Sequence, residues 1–490
     1  MSELKDRVVR GAAARVVAQV ANVLIRMGSL VVFARLLEPK DFGIVGMVTA
    51  VTGIFSVFKD FGLSTAAVQQ ETLSNAQAST MFWVNLLLGG ILCALTLVCA
   101  PILVRFYDEP RLLLVTVALA AGFLINAAGI QHSAQLQREM RFVALAAIEV
   151  IALLASSAIG LAMAAAGLGY WALVGWSLLL PTVNSAGAWI AAAWIPSRPE
   201  RRTDVRALIQ FGTTYTLNAI VIYVAYNLDK LLVGRMWGAS ALGIYGRAFQ
   251  LVTLPADGVI GAIGGVAFSA LSRVQQNGAL LRSYFLKGYK IVLTLTVPIT
   301  LLMALYAEEI VMVLLGPKWT SATATLRFLT PTLLVFAMIN PTGWLMLASG
   351  RIKRSLQIAL VIAPWVIVGY VLGLPYGVEG VALGFSASMT LWVVPHILWA
   401  TKGSAVSAAD LFRVMIKPCI AGAVAGILTL GFDALYGAAM APFMRLASGG
   451  TALVILYFAM LLLVLGERTF YLDLVSTLTR RRSVTKSVPE

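Results

Sequence analysis

The sequence runs to 490 residues, 60% of them hydrophobic and 12% charged, with a formal net charge of +15. Its apolar runs repeatedly reach the ~20 residues needed to cross a bilayer core, which excludes a soluble globular fold. The polar stretches around Ser197 to Arg206 and after Gly466 are too short to bury cores of their own. The positive charge sits in short loops beside apolar segments, where topology and anionic lipid account for it, so no nucleic-acid partner is expected.

Taken in chain order, Lys5, Arg7 and Arg10 precede an apolar run that continues to about Leu37 without a clear cleavage site, and this segment is expected to be retained. Hydrophobic runs predict helices at about 12–36, 43–69, 78–104, 112–132, 142–165 and 168–195. A basic break at Pro196 to Arg206 separates these from six more, at about 208–234, 240–270, 284–307, 322–348, 354–374 and 377–401. An amphipathic link from Lys402 to Lys417 then leads to a final pair at about 417–437 and 447–466, before a polar tail carrying Arg480, Arg481 and Arg482. The expected fold is therefore an all-α polytopic membrane protein of about 14 transmembrane helices, two six-helix lobes plus two C-terminal helices. The boundaries expected are 1–196 for the N-lobe, 197–207 for a linker, 208–401 for the C-lobe, 402–467 for the last two helices and 468–490 for the tail. An even helix count puts both termini on one side, and the bias of Lys and Arg toward that side makes it cytoplasmic.

The chain carries an internal echo. Arg35, Phe42-Gly43-Ile44 and Gly46 stand 200 positions before Arg235, Leu242-Gly243-Ile244 and Gly246. Further landmarks follow at drifting offsets: Asn126 and Gly129 against Asn340 and Gly343, and Gly167 with Ala172-Leu173 against Gly377 with Ala382-Leu383. Six helices per repeat is even, so the halves should be related by an axis along the membrane normal, with a substrate site where they meet.

Charges at membrane depth cost roughly 2.5 kcal/mol or more each on insertion scales, so those retained indicate pairing or a polar cavity. In the first helix Arg15, Gln19, Asn22, Arg26 and Ser29 recur on one face. The second helix offers Thr49, Thr52, Ser56 and the pair Lys59-Asp60; the eighth offers Arg247, Gln250 and Asp257, with Pro255 as a kink. On the seventh, Tyr223, Asn227 and Lys230 share a face, and Asp229 is turned about 100° from Lys230. One reading makes Asp229, Lys230, Arg247 and Asp257 internal ion pairs, with Arg15, Lys59 and Asp60 snorkelling to the interface. The other makes Arg26 and Arg247 the poles of a cavity for an anion, since the planar guanidinium fork suits phosphate or pyrophosphate. Candidate cavity residues are Arg26, Arg247, Lys230, Lys59, Asn22, Gln19 and Gln250, with Asp229, Asp257 and Asp60 as candidates for ion coupling or ion pairing.

Other groups carry less. Glu149 reads as a packing or polar-pair residue, and Glu38 and Asp41 around Pro39 as a helix-starting turn. His132 and His396 are far apart in sequence, and Cys93, Cys99 and Cys419 sit in apolar runs without metal-ligand spacing, so no metal is expected. The chain is not expected to be an enzyme. It has no Walker A loop and no expected cofactor, which leaves a gradient, of protons or sodium, or a partner to drive uphill movement.

The runs ARLLEPKDFG (Ala34 to Gly43), KDFGLSTAAVQQ (Lys59 to Gln70), NLDKLLVGRMWGASALGIYGRA (Asn227 to Ala248) and LLGPKW (Leu314 to Trp319) resemble the polysaccharide transporter family of the multidrug/oligosaccharidyl-lipid/polysaccharide flippase superfamily, in particular its Wzx-type exporters of colanic-acid-like units. The resemblance covers residues 5 to 430 and implies a central cavity in which an undecaprenyl-pyrophosphate-linked oligosaccharide crosses to the outer leaflet of the bacterial inner membrane by alternating access. It also implies contact with membrane lipids and with polysaccharide polymerase or assembly proteins. Related lipid II flippases carry cavity arginines on the first, second and eighth helices; Arg26 and Arg247 match two of these, and the second-helix position holds Lys59 instead. In those relatives a groove on the last two helices holds the lipid tail, where this chain has the apolar run Leu453 to Leu465. The rival readings are a drug or cation antiporter of the same superfamily, which needs a cavity dominated by acids, and a non-transporting scaffold, which has no use for polar stripes at membrane depth.

Overall fold

Pro39 at the first helical position and the reciprocal bonds of Glu38 and Asp41 start the second helix, as their spacing predicts. A computed structural model describes the backbone of residues 2–58, 74–198, 217–436, 440–473 and 476, with side chains from residue 17 on except Val266. The motif KDFGLSTAAVQQ with Lys59 and Asp60, the side chain of Arg15, most of the linker at 197–207, the start of the seventh helix and most of the tail lie outside the described residues.

The first six helices are α1 (Ser2–Leu36), α2 (Pro39–Val57), α3 (Asn75–Tyr107), α4 (Leu112–Arg138), α5 (Phe142–Ala165) and α6 (Tyr170–Ala192). A helical stretch follows over Leu217–Arg273, 57 residues long, far beyond the ~20 that cross a bilayer. It divides at Gly238, whose φ of 79° no helix interior accepts, into α7 (217–237) and α8 (239–273). Next come α9 (Gly278–Leu305), α10 (Ala322–Ala348), α11 (Ile352–Gly373), α12 (Gly377–Thr401), α13 (Ala408–Tyr436) and α14 (Pro442–Ala459), the last continued by a π-helical turn, Met460–Val464. Among the described residues all regular structure is helical, with twelve stretches long and apolar enough to cross a membrane, two of which, Leu217–Arg273 and Ile352–Thr401, each hold two of the fourteen helices.

The link expected over Lys402 to Lys417 is shorter than that. Ser407 and Asp410 exchange backbone-to-side-chain bonds and open α13 at Ala408, so Arg413 and Lys417 are helical. The signal, a capping box with Asp in place of Glu, stands in the sequence as Ser407-Ala-Ala-Asp410.

Two compact units are present. The first comprises Met1–Arg247, Leu314–Thr325 and Ala359–Phe385, and in it α3 packs on α4, α5 on α6, α4 on α6 and α1 on α5. Glycines permit these approaches: a Cβ on Gly89 would meet that of Ala127 at 2.5 Å, and one on Gly129 would meet Ser185 Oγ at 2.3 Å. The second comprises Ala248–Val313, Leu326–Ile358 and Ser386–Glu490, in which α9, α13 and α14 enclose Val297, Ala421, Leu453 and Tyr457. Leu453 and Leu461 are thus fully buried packing residues, whereas Ile455, Leu463 and Val464 face outward. Several hydroxyls at membrane depth bond back to carbonyls four residues earlier, as in Thr52 to Val48, Thr330 to Leu326 and Thr429 to Ala425, and so are satisfied within their own helices.

Candidate functional site

The site is built on a break in α7. At Tyr226 and Asn227 the helix turns, and the Asn227 N–H bonds the carbonyl of Val224 at 3.3 Å rather than that of Tyr223. An unsatisfied carbonyl at membrane depth costs several kcal/mol. The Asn227 side chain removes that cost, its Nδ2 donating to the Tyr223 carbonyl at 2.9 Å, and Tyr370 of α11 donates to the carbonyl of Ala225 at 3.1 Å. Lys230 Nζ donates to Asn227 Oδ1 at 2.7 Å, so the same amide caps the break and holds the ammonium.

Asp229 is fully buried and points elsewhere, as its turn from Lys230 requires. Its Oδ1 accepts from the Lys230 backbone N–H at 2.7 Å, and its Oδ2 from the Tyr245 hydroxyl at 2.5 Å. A carboxylate in the first turn of the restarted helix complements the helix dipole. It also ties that turn to α8 across Gly238.

Lys230 and Asn227 line a cavity of about 280 Å³ with Tyr223, Phe42, Thr49 and Arg247. The Tyr223 hydroxyl reaches the carbonyls of Thr49 and Ala50 at 3.2 and 3.3 Å, in space left by Gly53, where a Cβ would stand 1.8 Å from that oxygen. The Arg247 guanidinium lies over the Phe42 ring, 4.2 Å from its centroid. Phe42 meets Trp319 edge-on at 5.3 Å, and the Trp319 indole N–H donates to the Ala34 carbonyl at 2.8 Å. This relay orients the planar fork through cation–π attraction. Trp319 is fully buried. The motif LLGPKW therefore fixes the α1–α2 turn, a role that sequence reasoning missed because its partner lies 285 positions away.

The cavity is basic: among the described residues its lining holds Lys230 and Arg247 and no carboxylate. Among the described residues, its lining includes none of the other candidates. On α1, Asn22 is buried, with no partner for its Oδ1 among the described residues, whereas Gln19 and Arg26 are exposed. On α8, Gln250 is half-buried and Asp257 exposed, both within the second unit. Lys59 and Asp60 lie outside the described residues. His132 stacks on Trp189 at 4.0 Å and its Nε2 is 3.1 Å from the Trp194 carbonyl; His396 Nε2 is 2.9 Å from the Thr342 hydroxyl. Both imidazoles are packing groups. Tyr245, Trp319 and the capping role of Asn227 are what the sequence did not disclose.

This fold and this basic, helix-broken cavity define a multi-pass membrane protein of the flippase-superfamily architecture. Residues 32–324 match the family described as polysaccharide biosynthesis protein, and the chain belongs to that family. It is 25% identical over 392 residues to the lipopolysaccharide biosynthesis protein WzxC of Escherichia coli K12, covering 78% of each chain. It is 28% identical over 297 residues to the teichuronic acid biosynthesis protein TuaB of Bacillus subtilis, covering 60% of this chain and 61% of that one. Among solved structures, the inward closed conformation of the lipid II flippase MurJ superposes with a TM-score of 0.73 at 13% identity, over 95% of this chain and all of that one. An inward-facing multidrug resistance MATE transporter gives 0.65 at 15% identity, over 80% and 96%. At such identities these two likenesses speak for the fold alone.

Proposed function

We propose that the chain is a flippase that carries an undecaprenyl-pyrophosphate-linked oligosaccharide from the cytoplasmic to the outer leaflet of the bacterial inner membrane. The observation that carries this reading is the cavity whose described lining presents Lys230 and Arg247 and no carboxylate. A pyrophosphate loses most of its hydration on entering a membrane, and charge-assisted bonds to a guanidinium fork are among the few interactions that offset the loss. A cation antiporter needs the reverse polarity, and the acid beside Lys230 in sequence, Asp229, is already engaged by Tyr245. The relatives, a lipopolysaccharide biosynthesis protein and a teichuronic acid biosynthesis protein, support a glycan cargo.

In this reading the lobes 1–196 and 208–401 alternate in access, joined by the linker at 197–207, with 402–467 alongside and both termini, including the tail at 468–490, cytoplasmic. Arg26, with Gln19, Asn22, Lys59 and Gln250, contributes further cavity contacts. Asp60 and Asp257 are left for coupling to a proton or sodium gradient, and polysaccharide polymerase or assembly proteins take the product. The test is translocation in proteoliposomes. Radiolabelled lipid-linked oligosaccharide incorporated on one side should become accessible to an external glycosidase only where the protein is present. Equal accessibility in protein-free vesicles, or movement of a quaternary ammonium dye instead, would overturn the proposal.

A further inference from the structure

Helix α14 is tied at both ends to the same two neighbours, α9 and α13. Past its π-helical turn, the buried Glu467 takes Lys290 of α9 and Lys417 of α13 as partners, the second at 2.7 Å. Lys417 also donates to the Leu465 carbonyl at 3.1 Å. The residues that follow add to the hold: the Phe470 ring centroid lies 4.3 Å from Lys290 Nζ, and the Tyr471 hydroxyl meets that of Thr294 on α9.

At the other end the polarity is reversed. Arg445, in the first turn of α14, reaches the buried Glu309 just beyond α9 at 2.7 Å, and its Nε donates to Asp433 in the last turn of α13 at 2.9 Å. Arg445 and Glu467 are 22 positions apart, roughly 30 Å along a helix, which is about the thickness of the hydrocarbon core. Between them Leu453, Tyr457 and Leu461 are buried in one cluster with Val297, Ala421 and Ala425. The backbones approach closely there: a Cβ on Gly422 would stand 2.5 Å from Val297 Cγ1, and one on Gly450 would stand 3.0 Å from Leu302 Cδ1.

A shift of α14 by one turn, about 5.4 Å, would break both charge clusters at once, because the acid sits at one end and the guanidinium at the other and neither can take the other's partners. Removing one partner of a buried ion pair leaves an uncompensated charge and is strongly destabilising. We infer that the two clusters lock α9, α13 and α14 together throughout the transport cycle, so that the seam they enclose never opens to a lipid tail. This rests on the flippase reading, which supplies the cycle and the tail, and it departs from the tail groove that the resemblance implies on the last two helices. The inward residues of the run Leu453 to Leu465 are the lock's packing, and the outward ones, Ile455, Leu463 and Val464, are what α14 offers to lipid.

The test uses the full chain with its three native cysteines replaced by alanine, in a strain lacking the exporter. Two disulfide pairs bridge the seam without touching the charged groups: Val297→Cys with Gly422→Cys joins α9 to α13, and Leu302→Cys with Gly450→Cys joins α9 to α14. With either bridge oxidised, polysaccharide export should stay within about twofold of its reduced value, since a body that does not open loses nothing by being bridged. Export lost on oxidation and regained with a reductant would overturn the lock, and failure of both pairs to bridge would deny the packing on which it stands. A second measurement reads the seam without export. Ala425→Cys, at a fully buried position, should resist membrane-permeant N-ethylmaleimide in cells whether or not lipid-linked oligosaccharide is being made. Adding Glu467→Gln and Arg445→Gln should raise its alkylation rate by about tenfold, because local opening governs the reactivity of a buried group. Alkylation that rises with glycan synthesis while both clusters are intact, or that is unchanged when both are removed, would overturn the inference. Failure of the protein to restore export at all would instead overturn the flippase reading, and alkylation would still decide whether the clusters hold the seam shut.

Discussion

Gly43 and Gly243, related by the 200-residue echo, face each other's helices reciprocally: a Cβ on Gly43 would stand 1.7 Å from the carbonyl oxygen of Ala239, and one on Gly243 would stand 1.8 Å from that of Pro39. Pro39 and Ala239 are themselves 200 positions apart, so the crossing of α2 and α8 has the signature of a two-fold axis within one chain. Backbones this close admit only glycine. Neighbouring glycines differ: at Gly46 the nearest atom would be 3.4 Å away, and at Gly246 there is open space. Gly43→Ala and Gly243→Ala should each destabilise the protein, by about 1–3 kcal/mol or more where backbone must move. Gly46→Ala and Gly246→Ala should stay near wild type in a detergent melting series.

Trp319 supplies the second expectation. Trp319→Ala removes a fully buried ring and should cost about 3–5 kcal/mol. Trp319→Phe keeps an aromatic edge for Phe42 but loses the bond to the Ala34 carbonyl, for about 1 kcal/mol. Since Phe42 supports the Arg247 guanidinium, the Phe variant should fold and yet export less than its membrane level predicts.

How far the sequence discloses this arrangement depends on sequence distance. Helix count, the echo and the shared face of Tyr223, Asn227 and Lys230 are periodic features and are legible directly. Glu38 and Asp41 show their capping role within four residues. Asp229 conceals its partner because Tyr245 lies 16 positions on, beyond a chain reversal at Gly238. Trp319 conceals its role for the same reason at greater range. The break at Asn227 was hidden differently: asparagine at membrane depth reads as a ligand group, and only the backbone shows that it replaces its own amide hydrogen.

Beyond the last span, Glu467 receives both Lys290 and Lys417. Burial alone would raise its pKa, but the hydrogen bonds and charges of the two lysines outweigh it and hold the carboxyl below its ordinary value of 4.5. A lowered folded-state pKa means stability that is present in full above the unfolded value and lost as pH falls through the folded one. Wild type should therefore exceed Glu467→Gln in stability at neutral pH, and the gap should close as pH drops below 4.5. Chemical denaturation of both proteins across that range checks the sign.

The Ser197 hydroxyl lies 2.9 Å from that of Ser79, and its carbonyl accepts from the Trp83 indole at 2.8 Å, so the end of the first six helices sits beside the start of α3. The loop charges predict that this is the cytoplasmic side. With the three native cysteines replaced, Ser197→Cys should resist an impermeant maleimide in intact cells and react in inverted vesicles. Labelling from outside would reverse the orientation.

The basic cavity is most directly tested by polysaccharide export in a null strain carrying Arg247→Ala, Arg247→Lys, Lys230→Ala or Arg26→Ala, with membrane levels measured in parallel. Arg247 is expected to matter most, because its fork is both charged and oriented by Phe42. Arg247→Ala should abolish export at normal membrane level, Arg247→Lys should restore part of it, and Lys230→Ala should give a milder loss. Full export by Arg247→Ala and Lys230→Ala at wild-type levels would contradict the account, and would make these cations structural, with the anionic head group held elsewhere.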